Sequence, residues 1–115
     1  MREFEPPPFS IEVAQEGNRS VLNLSGELDL ATVGELEDAL RTRLEAGEDV
    51  VVDLRGLAFM DSSGVRALVG AHQSAAGGDG SLTIVRAARG SEVDRVIDVS
   101  GIATALGMVD EPPAG

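Results

Sequence analysis

The sequence predicts an α/β fold: a mixed sheet of four to five strands, opened by an antiparallel hairpin and continued by parallel β-α units, with helices mainly on one face. Three observations carry this. Two short alternating segments flank a turn of composition Glu16-Gly17-Asn18-Arg19. The run Val50-Val51-Val52 has the pattern of a strand buried on both faces. From Thr32 onward, apolar residues recur at helical spacing between the remaining strands, which gives the order β-β-α-β-α-β-α.

Each element follows from local chemistry. Prolines at 6, 7 and 8 disfavour helix and cannot donate to a ladder, so residues 1–8 read as a flexible arm ahead of one domain over 9–108. Phe9, Ile11 and Val13 alternate with Ser10, Glu12 and Ala14, and Val21, Leu22 and Leu24 form the second, short strand. Gly26 to Ala31 leaves that strand. Thr32 with Glu35 has the spacing of a capping box, and Val33, Leu36, Leu40 and Leu44 make one helical stripe. Gly47 is placed to end that helix in a left-handed cap. The valine strand then turns at Gly56 into an apolar lead-in, Leu57-Ala58-Phe59-Met60. A second helix runs from about Ser63 to Ala76 and stops at Gly77-Gly78-Asp79-Gly80. Leu82, Ile84 and Val85 form the next strand. Ser91 caps a third helix that Gly101 closes, and Ile102 to Leu106 suits one more helical turn. Residues 109–115 read as a flexible, frayed tail. Right-handed crossovers stack the helices on one side, which leaves the other sheet face less covered.

The 115 residues suit one core, and with three Phe and no Trp or Tyr that core must be aliphatic. Net charge is −11, from 20 acidic and 9 basic residues, and such a surface repels nucleic-acid phosphates. There is no cysteine, hence no disulfide or thiolate metal site. The N-terminus lacks the apolar core of a secretory signal, and no apolar run approaches the ~20 residues of a spanning helix. A cytoplasmic protein without membrane insertion is expected. The nine basic residues are all Arg. Without lysine there is no Walker A phosphate loop and no Schiff-base chemistry. A phospho-aspartate receiver centred on Asp53 would also lack its clamping lysine, so Asp53 reads as a strand-end carboxylate bonded to the next turn.

The chemistry concentrates in Asp61-Ser62-Ser63-Gly64, where the strand unit hands over to a helix. One reading makes these residues helix caps, worth about 1 kcal/mol. The other makes Ser62 a phosphorylation switch on a docking surface. A helix N-terminus presents free N–H groups and partial positive charge, which tolerate a phosphoserine. Gly64 would leave the backbone open to a partner. Ser63 is the runner-up for modification, since its hydroxyl could instead be the cap. Asp29 lies in the loop after the second strand, and the loops that follow parallel strands gather on one edge, so Asp29 and Ser62 could be neighbours. A serine hydrolase is disfavoured, because neither serine lies in G-x-S-x-G and the single histidine is His72. No enzyme activity and no cofactor are expected.

The same residues carry a resemblance. Gly26-Glu27-Leu28-Asp29, Val51-Val52-Asp53-Leu54, Phe59-Met60-Asp61-Ser62-Ser63-Gly64 and Ser100-Gly101-Ile102 resemble segments of the STAS-domain family, most of all its stand-alone bacterial anti-sigma factor antagonists. The resemblance implies that the unphosphorylated form binds an anti-sigma factor that is itself a serine kinase, releasing the sigma factor. It implies that this kinase phosphorylates Ser62 with its own bound ATP, and that a metal-dependent serine phosphatase resets the switch. Asp29 matches a loop acid near the kinase contact, so Asp29, Asp61, Ser62, Ser63 and Gly64 form the implied partner-binding set. Val65 in place of leucine and Ser91 in place of proline are mild departures. The family also contains unmodified interaction subunits of stressosome and lipid-transport type, which is the alternative.

Overall fold

Eight elements build the molecule: strands β1 (Phe9–Glu16), β2 (Arg19–Leu28), β3 (Asp49–Met60) and β4 (Ser81–Val85), and helices α1 (Val33–Glu45), α2 (Ser62–Ala76), α3 (Glu92–Ser100) and α4 (Ile102–Ala105). This computed structural model describes residues 9–114, so the arm expected over 1–8 lies outside the described residues. The sheet order is β1-β2-β3-β4, with β1 antiparallel to β2 and the other pairs parallel. The predicted architecture is therefore the observed one, with four strands.

Side-chain alternation divides the sheet. Val50, Val52, Leu54, Leu22, Leu24 and Ile84 join Leu36, Leu40, Leu68, Val93 and Ile97 of the helices in one aliphatic core. Val51 and Val85 point to the opposite face, yet they are 1% and 0% exposed. The C-terminal segment pairs along the edge of β4. The Val109 N–H donates to the Ile84 carbonyl at 3.0 Å, and the Arg86 N–H donates to the Val109 carbonyl at 2.9 Å. Arg89 pairs with Asp110 at 3.1 Å, and the Arg19 guanidinium reaches the Pro113 carbonyl at 3.5 Å. These bonds run from the free edge of β4 to the start of β2.

Helix ends follow the sequence with one exception. Gly47 takes φ +77°, its N–H donates to Leu44 and that of Glu48 to Arg43, which satisfies the last carbonyls of α1. The Ser91 hydroxyl accepts from the Asp94 N–H at 3.1 Å, and Gly101 closes α3 at φ +71°. Thr32 does not cap α1 through its side chain. Its hydroxyl turns back to donate to the Glu27 carbonyl at 2.9 Å, so the capping box is not formed.

The main departure from the sequence reading lies in β3. The strand does not turn at Gly56 but runs on to Met60, and β2 correspondingly continues to Leu28. Between Asn23 and Ser25 of β2, β3 advances from Asp53 to Gly56; between Gly26 and Glu27 it advances from Leu57 to Phe59. Each step is a bulge with one extra residue in β3. Gly56 is required by closeness: a Cβ there would stand 2.5 Å from the Leu24 carbonyl oxygen.

Gly56→Ala should therefore cost roughly 1–3 kcal/mol, because a backbone oxygen cannot yield. Gly34→Ala, in an exposed turn of α1 where the added methyl meets nothing within 4 Å, should instead gain about 0.5–1 kcal/mol. Urea midpoints of the two variants moving in opposite directions would confirm the difference; a neutral Gly56→Ala would contradict the close approach.

Candidate functional site

Leu28 and Met60 are register partners at the ends of β2 and β3, so the residues that follow them emerge side by side. The Asp61 N–H donates to the Leu28 carbonyl at 3.2 Å, which draws the two exits together. Asp29 and the Asp61-Ser62-Ser63-Gly64 segment consequently share one edge of the sheet, as the topology predicts.

Asp61 is the true N-cap of α2. Its backbone is extended, and its carboxylate accepts the Ser63 N–H at 2.8 Å. The Gly64 and Val65 N–H groups close onto the Asp61 carbonyl at 3.1 and 3.3 Å. The cap needs neither serine hydroxyl. Ser62 is exposed, and among the described residues its hydroxyl makes no hydrogen bond within the chain. Ser63 is turned into the protein, at 8% exposure.

Gly64 has a different purpose from the one its sequence suggests. It is buried, and a Cβ would stand 2.6 Å from Met60 Cγ and 3.0 Å from Leu28 Cδ2. The missing side chain lets α2 settle on the ends of β2 and β3; it does not open the backbone to a partner.

Asp29 forms the spine of its loop. Its Oδ1 accepts the Ala31 N–H at 3.0 Å and the Thr32 N–H at 3.2 Å, while its own N–H donates to the Thr32 hydroxyl at 3.0 Å. The loop holds Leu30 at its apex, 76% exposed. Phe59, the register partner of Glu27, is 40% exposed at the same edge. Sequence reasoning missed both. The signal was available: Leu30 belongs to no helical or strand stripe, and Phe59 falls between the inward-facing Leu57 and Met60.

The rival sites fall away on geometry. His72 lies ten residues along α2 from Ser62, about 15 Å of helix rise, so it cannot serve that hydroxyl as a base. Asp53 is committed to Arg55, whose guanidinium donates at 3.0 and 2.7 Å and whose backbone N–H donates at 3.0 Å. Burial alone would push the Asp53 carboxyl up, but the hydrogen bonds and charge of Arg55 outweigh it and hold the carboxyl below its usual range. No helix among the described residues is long and apolar enough to cross a membrane.

A family model described as Mlab, STAS domain matches residues 11–110. The chain belongs to the STAS-domain family. Among curated relatives, the anti-sigma-B factor antagonist of Staphylococcus epidermidis is 32% identical over 95 residues, 82% of this STAS domain chain and 86% of the relative. Among solved structures, an anti-sigma factor antagonist from Mycobacterium paratuberculosis superposes with a TM-score of 0.79 at 24% identity, covering 94% of this chain and 92% of the other. The anti-sigma factor antagonist SpoIIAA in its unphosphorylated form gives 0.73 at 24% identity, covering 90% and 89%. The phosphorylated form of the Bacillus protein gives 0.68 at 23%, covering 90% and 92%. At these identities the structures establish the shared STAS fold.

Two outcomes test the local accounts. Asp61→Ala removes the cap and should cost about 0.5–2 kcal/mol in chemical denaturation. Asp53→Asn should destabilise at pH 7 by on the order of 1 kcal/mol. The Asp53 carboxyl is depressed in the folded state, so its contribution is complete above the unfolded value of about 3.9 and disappears as pH falls through the folded value. The gap between wild type and Asp53→Asn should accordingly close below about pH 4 in a urea series; a gap independent of pH would contradict the ion pair.

Proposed function

We propose that this chain is an anti-sigma factor antagonist whose partner binding is switched at Ser62. The observation that carries the reading is the accessibility of one hydroxyl and not its neighbour: Ser62 is exposed on a capped helix end, whereas Ser63 is buried. The names of the relatives support the antagonist role, and the existence of a phosphorylated SpoIIAA supports the chemistry.

The unphosphorylated form binds an anti-sigma factor serine kinase and thereby frees the sigma factor. The Ser62 oxygen attacks the γ-phosphorus of ATP held by that kinase, the bond to the β-phosphate oxygen breaks to leave ADP, and the hydroxyl proton passes to a base on the kinase. The product adds a charge of about −1.5 to −2 to an edge that already carries Asp29 and Asp61. Like charge and bulk then oppose docking. A metal-dependent serine phosphatase restores the hydroxyl by attack of water on phosphorus, releasing inorganic phosphate.

Each kinase-type anti-sigma factor of the source genome, purified and supplied with Mg-ATP, tests this by phosphopeptide mapping. Label is expected on Ser62, none on Ser62→Ala, and unchanged binding of Ser62→Ala to the kinase. Ser62→Asp should bind at least roughly tenfold more weakly, since it reproduces part of the added charge. Label on Ser63 would overturn the assignment. Stable binding with no serine labelled would mark an unmodified interaction subunit instead.

A further inference from the structure

Among the described residues, five large apolar side chains are exposed: Val13, Leu30, Phe59, Val99 and Val109. Two of them stand at the edge that holds Ser62. Phe59 is one of three phenylalanines in the chain, and among the described residues Phe9 is buried. Leu30 is the most unexpected, because it is 76% exposed on a loop with little freedom to bury it elsewhere. The Asp29 carboxylate takes the Ala31 and Thr32 N–H groups, the Thr32 hydroxyl takes the Asp29 N–H, and the Val33 N–H returns to the Asp29 carbonyl at 2.8 Å. Four hydrogen bonds across five residues hold Leu30 out in water.

We propose that Leu30 and Phe59 are the apolar anchors by which this edge docks its kinase partner, and that Asp29 is a positioning residue acting through Leu30. The inference rests on the reading of Ser62 as the partner-facing switch and deepens it. An exposed apolar group preorganised by its own loop loses little entropy on binding, which suits a central contact in an interface. Glu27 is the register partner of Phe59, Asp29 directly precedes Leu30, Asp61 follows at the end of β3, and the whole chain carries −11. The complementary surface on the partner is therefore an apolar cleft with a basic rim. The Asp29 Oδ1 is turned into the loop, so its part in docking is indirect. Asp29 shapes the approach, and Leu30 makes it.

The test uses the full chain and each purified kinase-type anti-sigma factor of the source genome, with binding read by calorimetry. Leu30→Ala and Phe59→Ala should each weaken the complex at least tenfold. Leu30→Ala, at a side chain 76% exposed, should keep the wild-type thermal midpoint. For Phe59→Ala, whose ring is 40% exposed, an unchanged far-UV circular dichroism spectrum at the binding temperature shows that the fold is intact. Leu30→Met should restore binding. Asp29→Ala should also weaken it, but combined with Leu30→Ala it should add little, since both changes remove one contact. Raising the salt concentration should weaken the wild-type complex. If Leu30→Ala and Phe59→Ala bind as wild type while Ser62→Asp does not, the anchors are wrong and the switch stands. If Ser62→Asp binds as wild type while Leu30→Ala does not, the switch is wrong and the anchors stand. Additive losses for Asp29→Ala and Leu30→Ala would overturn the positioning role. Failure of the wild type to bind any of these kinases would overturn both readings.

Discussion

The functional edge depends on how β3 is paired to β2 beyond the point where β4 stops. β4 accompanies β3 only from Asp49 to Asp53, and α3 also packs against β3. From there to Met60, β2 is the strand that keeps β3 in register. A strict two-residue period would carry Leu54, Gly56, Ala58 and Met60 to the core side and turn Leu57 away from it. Two bulges change this. The first brings Leu57 inward, and the second restores the phase so that Met60 also faces the core. The chain reaches Asp61 in the orientation that starts a helix over the sheet.

That orientation decides which serine faces solvent. Successive residues of a helix are separated by roughly 100° around its axis. With Gly64 pressed against Met60 and Leu28, the positions on the sheet side of the first turn are taken. Ser63 shares that side and is buried, which leaves Ser62 outward. The cap is supplied one residue earlier by the Asp61 carboxylate, so the exposed hydroxyl satisfies no backbone group. Had a serine been the cap, modifying it would have cost the helix its first bond. Asp61 makes the stability of α2 independent of the Ser62 hydroxyl.

Much of this was legible from the residues. Alternation in Phe9 to Ala14, the valine run, the stripe from Val33 to Leu44 and the caps at Gly47 and Ser91 are local patterns, and local physics sets them. The failures share a cause. Gly56 and Gly64 look in sequence like a turn and an open backbone, but both are small because another strand or side chain already occupies the space, which is a tertiary fact. Thr32 with Glu35 has the spacing of a capping box, yet the Thr32 hydroxyl is claimed by Glu27 and Asp29 across the loop. The hydrogen-bond and ion-pair partners of Val109, Asp110 and Pro113 are Ile84, Arg86, Arg89 and Arg19, far off in sequence, where local composition does not point. The grouping of Asp29 with Asp61 was foreseeable from parallel topology. The exposure of Leu30 and Phe59 shows only as a place outside every apolar stripe, a weaker signal than periodicity, which marks the residues that can be buried.

On the proposed reading, these features explain why the switch needs no refolding. The bonds that define the edge are internal to it: the Asp61 cap, the Asp29 loop and the link from Asp61 to the Leu28 carbonyl. A phosphate on Ser62 breaks none of them, since that hydroxyl holds nothing in place. The fold is then nearly indifferent to modification, and the free energy of switching appears almost entirely in the complex. There a rigid edge gives the partner no means of moving the new charge away from the contact. Flexible edges can relieve repulsion by rearranging; a preorganised one transmits it, and the rigidity that favours docking before modification opposes it afterwards.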